Sequence, residues 1–309
     1  MDYAQGWIDS ISPVRAYSTI TEYESILRRE LIPRFGKKLL EDIKRKDIQA
    51  LVADMSNRGL SPKTISNVVQ CLSALMTNAY HDELIEKNPC SLVRVPKRSL
   101  AKADPFAPED IRSILKYFQK YRPTEVALIA TGFFTGARLS ELAGLQWGDI
   151  DWNKKQITFR RVITHGKQKD RLKTCETRTI DLIEPLIPYL EAQKGNTFFG
   201  PDDWVFLNTE GEPFKWPGQD IAKRWKPVLK ALGIRYRGPG QMRHTFACRA
   251  LDQGESEAWV VTMLGHASRE MVRKVYGNWI PEPGSGGSKL AAMMSEELPS
   301  ENESENQVG

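Results

Sequence analysis

Apolar residues recur at three- and four-residue intervals through most of this chain, and that spacing commits it to a largely helical fold. Tyr23, Ile26, Leu27 and Leu31 form one such stripe, and Ile65, Val68, Val69, Leu72, Leu75, Met76 and Ala79 form another. Strand-type alternation is confined to the middle, where Ile157, Phe159 and Arg161 alternate with polar positions and Thr177-Arg178-Thr179-Ile180 reads as a return strand after a polar loop. The expected class is mostly α with a small antiparallel β-sheet, an α+β arrangement.

Punctuation divides the chain. Ser61 and Pro62 are an N-cap and first helical residue, and Asn88-Pro89 follows the end of that helix. Lys63, Thr64, Ser66 and Asn67 at its start make a seat for a phosphate. The basic segment Val95-Pro96-Lys97-Arg98-Ser99 precedes Phe106-Ala107-Pro108-Glu109-Asp110, where acidic residues after a proline open a new helix, so a domain boundary is expected near residues 96–104. Residues 1–98 form an all-helical domain in this reading, and 99–281 form a second one.

Within the second domain, Glu125 to Phe134 is apolar nearly all round and reads as a buried helix, broken by Gly136 before Leu139 to Leu145. Helical patterns resume at Glu184–Gln193, Gly218–Leu232, Met242–Leu251, Ala258–Leu264 and Glu270–Tyr276. Residues 281–288, PEPGSGGS, are a flexible linker by composition, and Lys289 to Leu298 can form one short helix before an acidic, disordered end.

With 40% hydrophobic and 27% charged residues over 309 positions, the chain has ordinary globular composition and length for a sizeable core. There is no apolar run of membrane-spanning length and no signal-peptide layout at the start, so a soluble, intracellular protein is expected. Cys71, Cys90, Cys175 and Cys248 form no CxxC pair and read as reduced, mostly packed thiols. A Walker-type glycine loop, an HExxH motif and a carboxylate cluster for paired magnesium ions are all missing, so no metal and no cofactor are expected.

Four segments carry chemistry: TGARLSEL around Arg138, LKTCETRTIDL around Lys173, MRHTFA around Arg243 and His244, and LGHASREMVRKVYGNW around His266 and Tyr276. Guanidinium groups suit the charge that builds on phosphoryl oxygens, because each donates two parallel hydrogen bonds. Arg138 opens a short helix after a turn, with Glu141 or Asp149 as an ion-pair partner. Lys173 lies on the loop before the return strand, with Lys167 and Lys169 as neighbouring competitors. Tyr276 stands ten residues after His266, on a helix whose inner face carries Met271, Val272 and Val275. A phenol is a poor nucleophile outside a cationic pocket, which Arg138, Lys173, Arg243 and His266 can supply.

In order and type, these segments resemble the tyrosine recombinases, the phage-integrase type of site-specific recombinase, over roughly residues 10–280. The resemblance implies a helical core-binding domain followed by an integrase-type catalytic domain, clamped around duplex DNA. It implies attack by Tyr276 to give a 3′-phosphotyrosyl enzyme, Arg138 and Arg243 on the non-bridging oxygens, Lys173 protonating the 5′ leaving oxygen, and His266 supporting the phosphate or the tyrosine. Glu141 and His244 take supporting places behind them. Partners implied are specific recombination sites in double-stranded DNA, a homotetramer passing through a Holliday junction, and accessory DNA-bending proteins. The errand implied is integrating or excising a phage or other mobile element, in the cytoplasm of a bacterial cell. Exchange of the C-terminal helix between protomers would fit the tail, and the arm-binding domain that many phage integrases carry is not visible ahead of the core-binding-like module.

One position departs from the family pattern. Many relatives have a histidine or lysine three residues before the second arginine, and here that residue is Gly240. The departure keeps open a site-specific DNA-binding protein that does not cut, while shared chemistry keeps open a type IB topoisomerase. The charge favours a nucleic-acid partner: the sum is +5, yet residues 282–309 hold six Glu and one Lys. The preceding 281 residues therefore carry +10, of which +7 lies in 99–281.

Overall fold

Helices form wherever the three- and four-residue apolar spacing is sustained. The computed structural model describes residues 2–97, 103–170, 177–265 and 268–280, and the chain divides into two units, residues 1–100 and 101–309.

The first unit holds α1 (Asp2–Ile11), α2 (Tyr17–Ile26), α3 (Ile32–Phe35), α4 (Arg45–Asn57) and α5 (Pro62–His81). Their apolar stripes meet in one core that buries Trp7, Leu31, Leu51, Met55, Val68 and Leu72, and the Trp7 ring stacks on Tyr23 with centroids 5.3 Å apart. Between α2 and α3, Leu27–Leu31 widen into a π-helical turn in which the Ile32 N–H bonds to the Leu27 carbonyl. Pro33 follows and has no N–H to donate, so the wider turn absorbs a misfit that would otherwise break the run. Ser61 caps α5, its hydroxyl accepting from the Thr64 N–H at 3.1 Å.

The second unit is built around α7. It contains α6 (Pro108–Tyr121), α7 (Pro123–Thr135), α8 (Leu139–Ala143), then β1 (Ile150–Asp151), β2 (Gln156–Phe159), β3 (Arg161–Thr164), β4 (Lys167–Asp170) and β5 (Arg178–Asp181). The remaining helices are α9 (Ile187–Thr197), α10 (Pro217–Ala231), α11 (Gln241–Asp252), α12 (Glu257–Leu264) and α13 (Arg269–Tyr276). Helix α7 is buried from Val126 to Phe133, which explains its unbroken apolar sequence. Beside it Trp225 anchors an aromatic cluster with Phe106, Phe118 and Phe133, at centroid separations of 5.7, 6.4 and 6.1 Å. Its indole N–H is satisfied by the Arg237 carbonyl at 2.6 Å.

The strands differ from the sequence expectation in one respect. The sheet has the order β1-β2-β5, all antiparallel, with Ile157 opposite Ile180 and Phe159 opposite Arg178. Arg161 does not continue the first strand. It starts a separate hairpin of β3 and β4, inserted where the sequence suggested a polar loop. The turn is His165-Gly166, with φ of 54° and 69°, the two left-handed residues that a tight hairpin of matching twist requires. Lys167 and Lys169 therefore sit on a strand, opposite Thr164 and Val162.

Among the described residues no helix is long and apolar enough to cross a membrane. Cys71, Cys90 and Cys248 are free, buried thiols, each pushed up to about 12 by burial. Cys175, the linker and the helix expected at Lys289–Leu298 lie outside the described residues.

Candidate active site

Two helix ends and one buried carboxylate assemble the site. Helix α7 stops at Gly136, whose φ of +62° is the left-handed conformation of a helix cap. A Cβ there would lie 2.7 Å from Cδ1 of Phe246, so the turn needs glycine for space as well as for conformation. Ala137 and an extended Arg138 follow, and α8 begins. Helix α12 ends the same way at Gly265, with φ of +60°. The glycines in the TGAR and LGH segments are thus two equivalent helix stops.

Arg243, on α11, ties these two ends together. Its Nη1 donates to the Gly136 carbonyl at 2.9 Å and its Nη2 to the Leu264 carbonyl at 2.7 Å. Both acceptors lie at the negative ends of helices, which favours a cation. Burial is the main reason its guanidinium falls to about 10, with Arg138 adding repulsion and Glu141 opposing it. It remains charged at neutral pH.

Arg138 is held from its other side. Glu141, with no exposed side-chain surface, accepts from the Arg138 N–H at 2.8 Å and from its Nη1 at 3.0 Å. The ion pair that the sequence offered is therefore made with Glu141, while Asp149 pairs with Arg160 and Arg161. Glu141 also holds Arg178 Nη2 at 2.6 Å, and the Arg178 guanidinium lies over the Phe159 ring at 4.7 Å. Arg178 was not a sequence candidate. Its signal was a charged residue in phase with Ile180 on the inward face of β5.

Tyr276 closes α13 and is 1% exposed, packed in the core of this unit. Its hydroxyl lies 2.9 Å from Nδ1 of His244 on α11. Burial pushes the phenol up to about 12, against the pull of Arg243 and Arg138, both close enough to act on it. His244 is lowered from its ordinary value, first by burial and then by Arg243. Read from the sequence alone, His244 has only a supporting place. The fold puts it in direct contact with the tyrosine.

A cleft of about 430 Å³ opens beside the two arginines, lined also by His165, Trp216 and Gly240. His165 packs on Trp216 with ring centroids 4.6 Å apart. At Gly240 a Cβ would meet nothing within 4 Å. Lys173 and His266 lie outside the described residues. Among the described residues no group of three or more His, Cys, Asp or Glu is placed to hold a metal ion.

The phosphate seat expected on α5 is partly committed. Asn67 donates to Glu22 at 2.7 Å, Ser66 accepts from Gln70 at 3.0 Å, and Thr64 belongs to the cap, while Lys63 is exposed. Lys167 is exposed on β4 and Lys169 half-buried.

Comparison with known proteins agrees with this architecture. Residues 106–279 match the model of the phage integrase family, and residues 1–56 match that of the phage integrase N-terminal SAM-like domain. Prophage integrase IntR of Escherichia coli K12 is 28% identical over 295 residues, covering 88% of this chain and 67% of that protein. Among solved structures, the Tn1549 transposon integrase in complex with a circular intermediate DNA matches with a TM-score of 0.75 at 21% identity, over 96% of this chain and 99% of that one. A lambda integrase tetramer bound to a Holliday junction matches at 0.71 and 18%, over 87% of this chain and 77% of that one. These structures share the fold. The match to the family model spans more than half of the sequence, and the chain belongs to the phage integrase family.

Proposed function

We propose that the chain is a site-specific DNA recombinase that cuts and rejoins strands through a 3′-phosphotyrosyl intermediate. The observation that carries this reading is Tyr276 buried beside His244, with Arg138 and Arg243 close enough to act on its hydroxyl. In the proposed reaction, Tyr276 attacks the scissile phosphate. The P–O5′ bond breaks as the bond from the phenolic oxygen to phosphorus forms, and the two guanidinium groups hold the non-bridging oxygens, where charge develops. Their geometry is set in advance by Glu141 and by two helix ends, so little reorganisation is left for the reaction itself. Lys173 is the acid for the 5′ oxygen and His266 the support for the phosphate, both assigned by family resemblance. The covalent link conserves the phosphodiester, and rejoining needs no nucleotide.

Residues 1–98 are the DNA-gripping domain in this proposal and residues 99–281 the catalytic one. Lys63, Thr64, Ser66, Asn67, Lys167 and Lys169 contact the phosphate backbone, and the +10 charge of residues 1–281 supplies the general attraction. The names of the relatives support duplex DNA as substrate and a tetramer on a Holliday junction as the working assembly. They also support a place on DNA in the bacterial cytoplasm, and integration or excision of a mobile element as the errand.

A nicked suicide duplex tests the reading, because the short fragment released by cleavage diffuses away and traps the covalent enzyme. A trapped adduct supports recombination, and binding without an adduct would overturn it in favour of a silent site-binding protein. That second reading is favoured by one feature, the glycine at position 240. Relaxation of supercoiled plasmid with no site requirement would point instead to a topoisomerase.

A further inference from the structure

The hydroxyl proposed as nucleophile already has a partner, and it is a base. Tyr276 ends α13, and His244 sits one residue beyond the arginine that spans two helix ends. The 2.9 Å between the phenolic oxygen and Nδ1 is hydrogen-bond distance. We propose that His244 is the proton acceptor for Tyr276 in strand cleavage, taking the part of the acid-base residue that position 240 lacks. The assignment rests on the recombinase reading.

With its proton on Nε2, the neutral ring presents a lone pair at Nδ1, and the Tyr276 O–H donates to it. As the phenolic oxygen bonds to phosphorus, its proton passes to Nδ1 and the P–O5′ bond breaks. The departing 5′ oxygen takes a different proton, from the cationic acid assigned to Lys173. Charge on His244 then rises by one while the new phosphodiester forms.

The surroundings favour this direction of transfer. Burial and Arg243 keep His244 neutral near pH 7, the state that accepts a proton. Tyr276, pushed up to about 12, does not ionise unaided. The other described groups acting on the pair are Arg243 and Cys248 on α11 and Arg138 at the start of α8. Arg243 lies at about 10 and Cys248 at about 12, so neither titrates between pH 5 and 8. Gly240 carries no side chain to compete, and the space at its Cβ is open.

The test is single-turnover cleavage of a nicked duplex carrying the site that covalent capture recovers from a fragment library. It is run with an oxygen leaving group and with a 5′-bridging sulfur, which departs without an acid. His244→Asn places an amide oxygen near the position of Nδ1, preserving the hydrogen bond while removing the basicity. The expected result is duplex binding as in the wild type and cleavage slower by roughly 10²-fold with both leaving groups. Wild-type speed in His244→Asn, or recovery of its speed by the sulfur leaving group, would overturn the assignment while leaving the recombinase reading standing. If His244→Asn does not fold, His244→Gln takes its place, and wild-type speed in that variant with both leaving groups overturns the proposal. Absence of any wild-type adduct would overturn the recombinase reading, and His244 with it.

Discussion

Arg243 donates to the carbonyls of Gly136 and Leu264, at 2.9 and 2.7 Å, and so joins the ends of two helices that stand 128 residues apart in the chain. Much of the site follows from this one guanidinium. It fixes where α7 and α12 stop relative to α11, and α11 in turn brings His244 to Tyr276.

Gly136 should therefore be intolerant of a side chain. Gly136→Ala combines a left-handed backbone with a Cβ only 2.7 Å from Phe246, and a loss of about 2–4 kcal/mol in unfolding free energy is expected from strain and overpacking together. Gly166→Ala has the same sign of φ but open space around the Cβ, so roughly 1 kcal/mol is expected. Equal losses in denaturant unfolding would contradict the steric part of the argument.

Glu141→Gln removes the carboxylate shared by Arg138 and Arg178, two cations that also act on Arg243. Breaking such a buried pair from one side costs about 3–5 kcal/mol, which for a unit of this size lowers Tm on the order of 10 °C. Calorimetry reads the shift directly. An unchanged Tm would mean that Glu141 does not hold the arginines in solution.

The phenol of Tyr276 gives a pH prediction with a definite sign. Its folded-state value of about 12 lies above the ordinary 10.0, so its contribution is fully present below pH 10 and is lost as pH rises through 12. Against Tyr276→Phe, the wild type should lose roughly 2–3 kcal/mol across that window. Taking the difference between the two chains removes the titration of groups that Tyr276 does not influence, while Arg243, at about 10 and coupled to the phenol, shifts with it. Parallel alkaline unfolding curves would place the hydroxyl in a wetter setting than the fold indicates.

Gly240 has ordinary helical dihedrals, with φ of −59°, and nothing within 4 Å of a Cβ. A side chain at 240 is thus free of strain and enters the cleft beside Arg138 and Arg243. Gly240→His should keep the wild-type Tm and raise single-turnover cleavage, by up to about 10²-fold where proton transfer limits the rate. A slower enzyme of unchanged stability would show that the open cleft is itself required.

How much of this was legible in the residues follows from locality. The helices were, because amphipathic spacing and caps such as Ser61-Pro62 are written in consecutive positions. So was the stop at Gly136, and Glu141, three residues away, was one of the two ion-pair partners offered for Arg138. The β3–β4 hairpin was not, since Arg161 keeps the alternation of β2 across the break and the His165-Gly166 turn uses a residue other than Asn or Asp. The contact of His244 with Tyr276 was also hidden. It spans 32 residues and depends on how α11 and α13 pack, which no local spacing encodes.

The central claim is that Tyr276 becomes covalently joined to DNA. The most direct measurement is to trap the enzyme on a nicked suicide duplex, digest the adduct with protease and nuclease, and locate the attached nucleotide by mass spectrometry. The expected result is a 3′-phosphonucleotide on the peptide containing Tyr276, and no adduct from Tyr276→Phe despite retained DNA binding. A linkage on another residue, or an adduct that survives Tyr276→Phe, would contradict it.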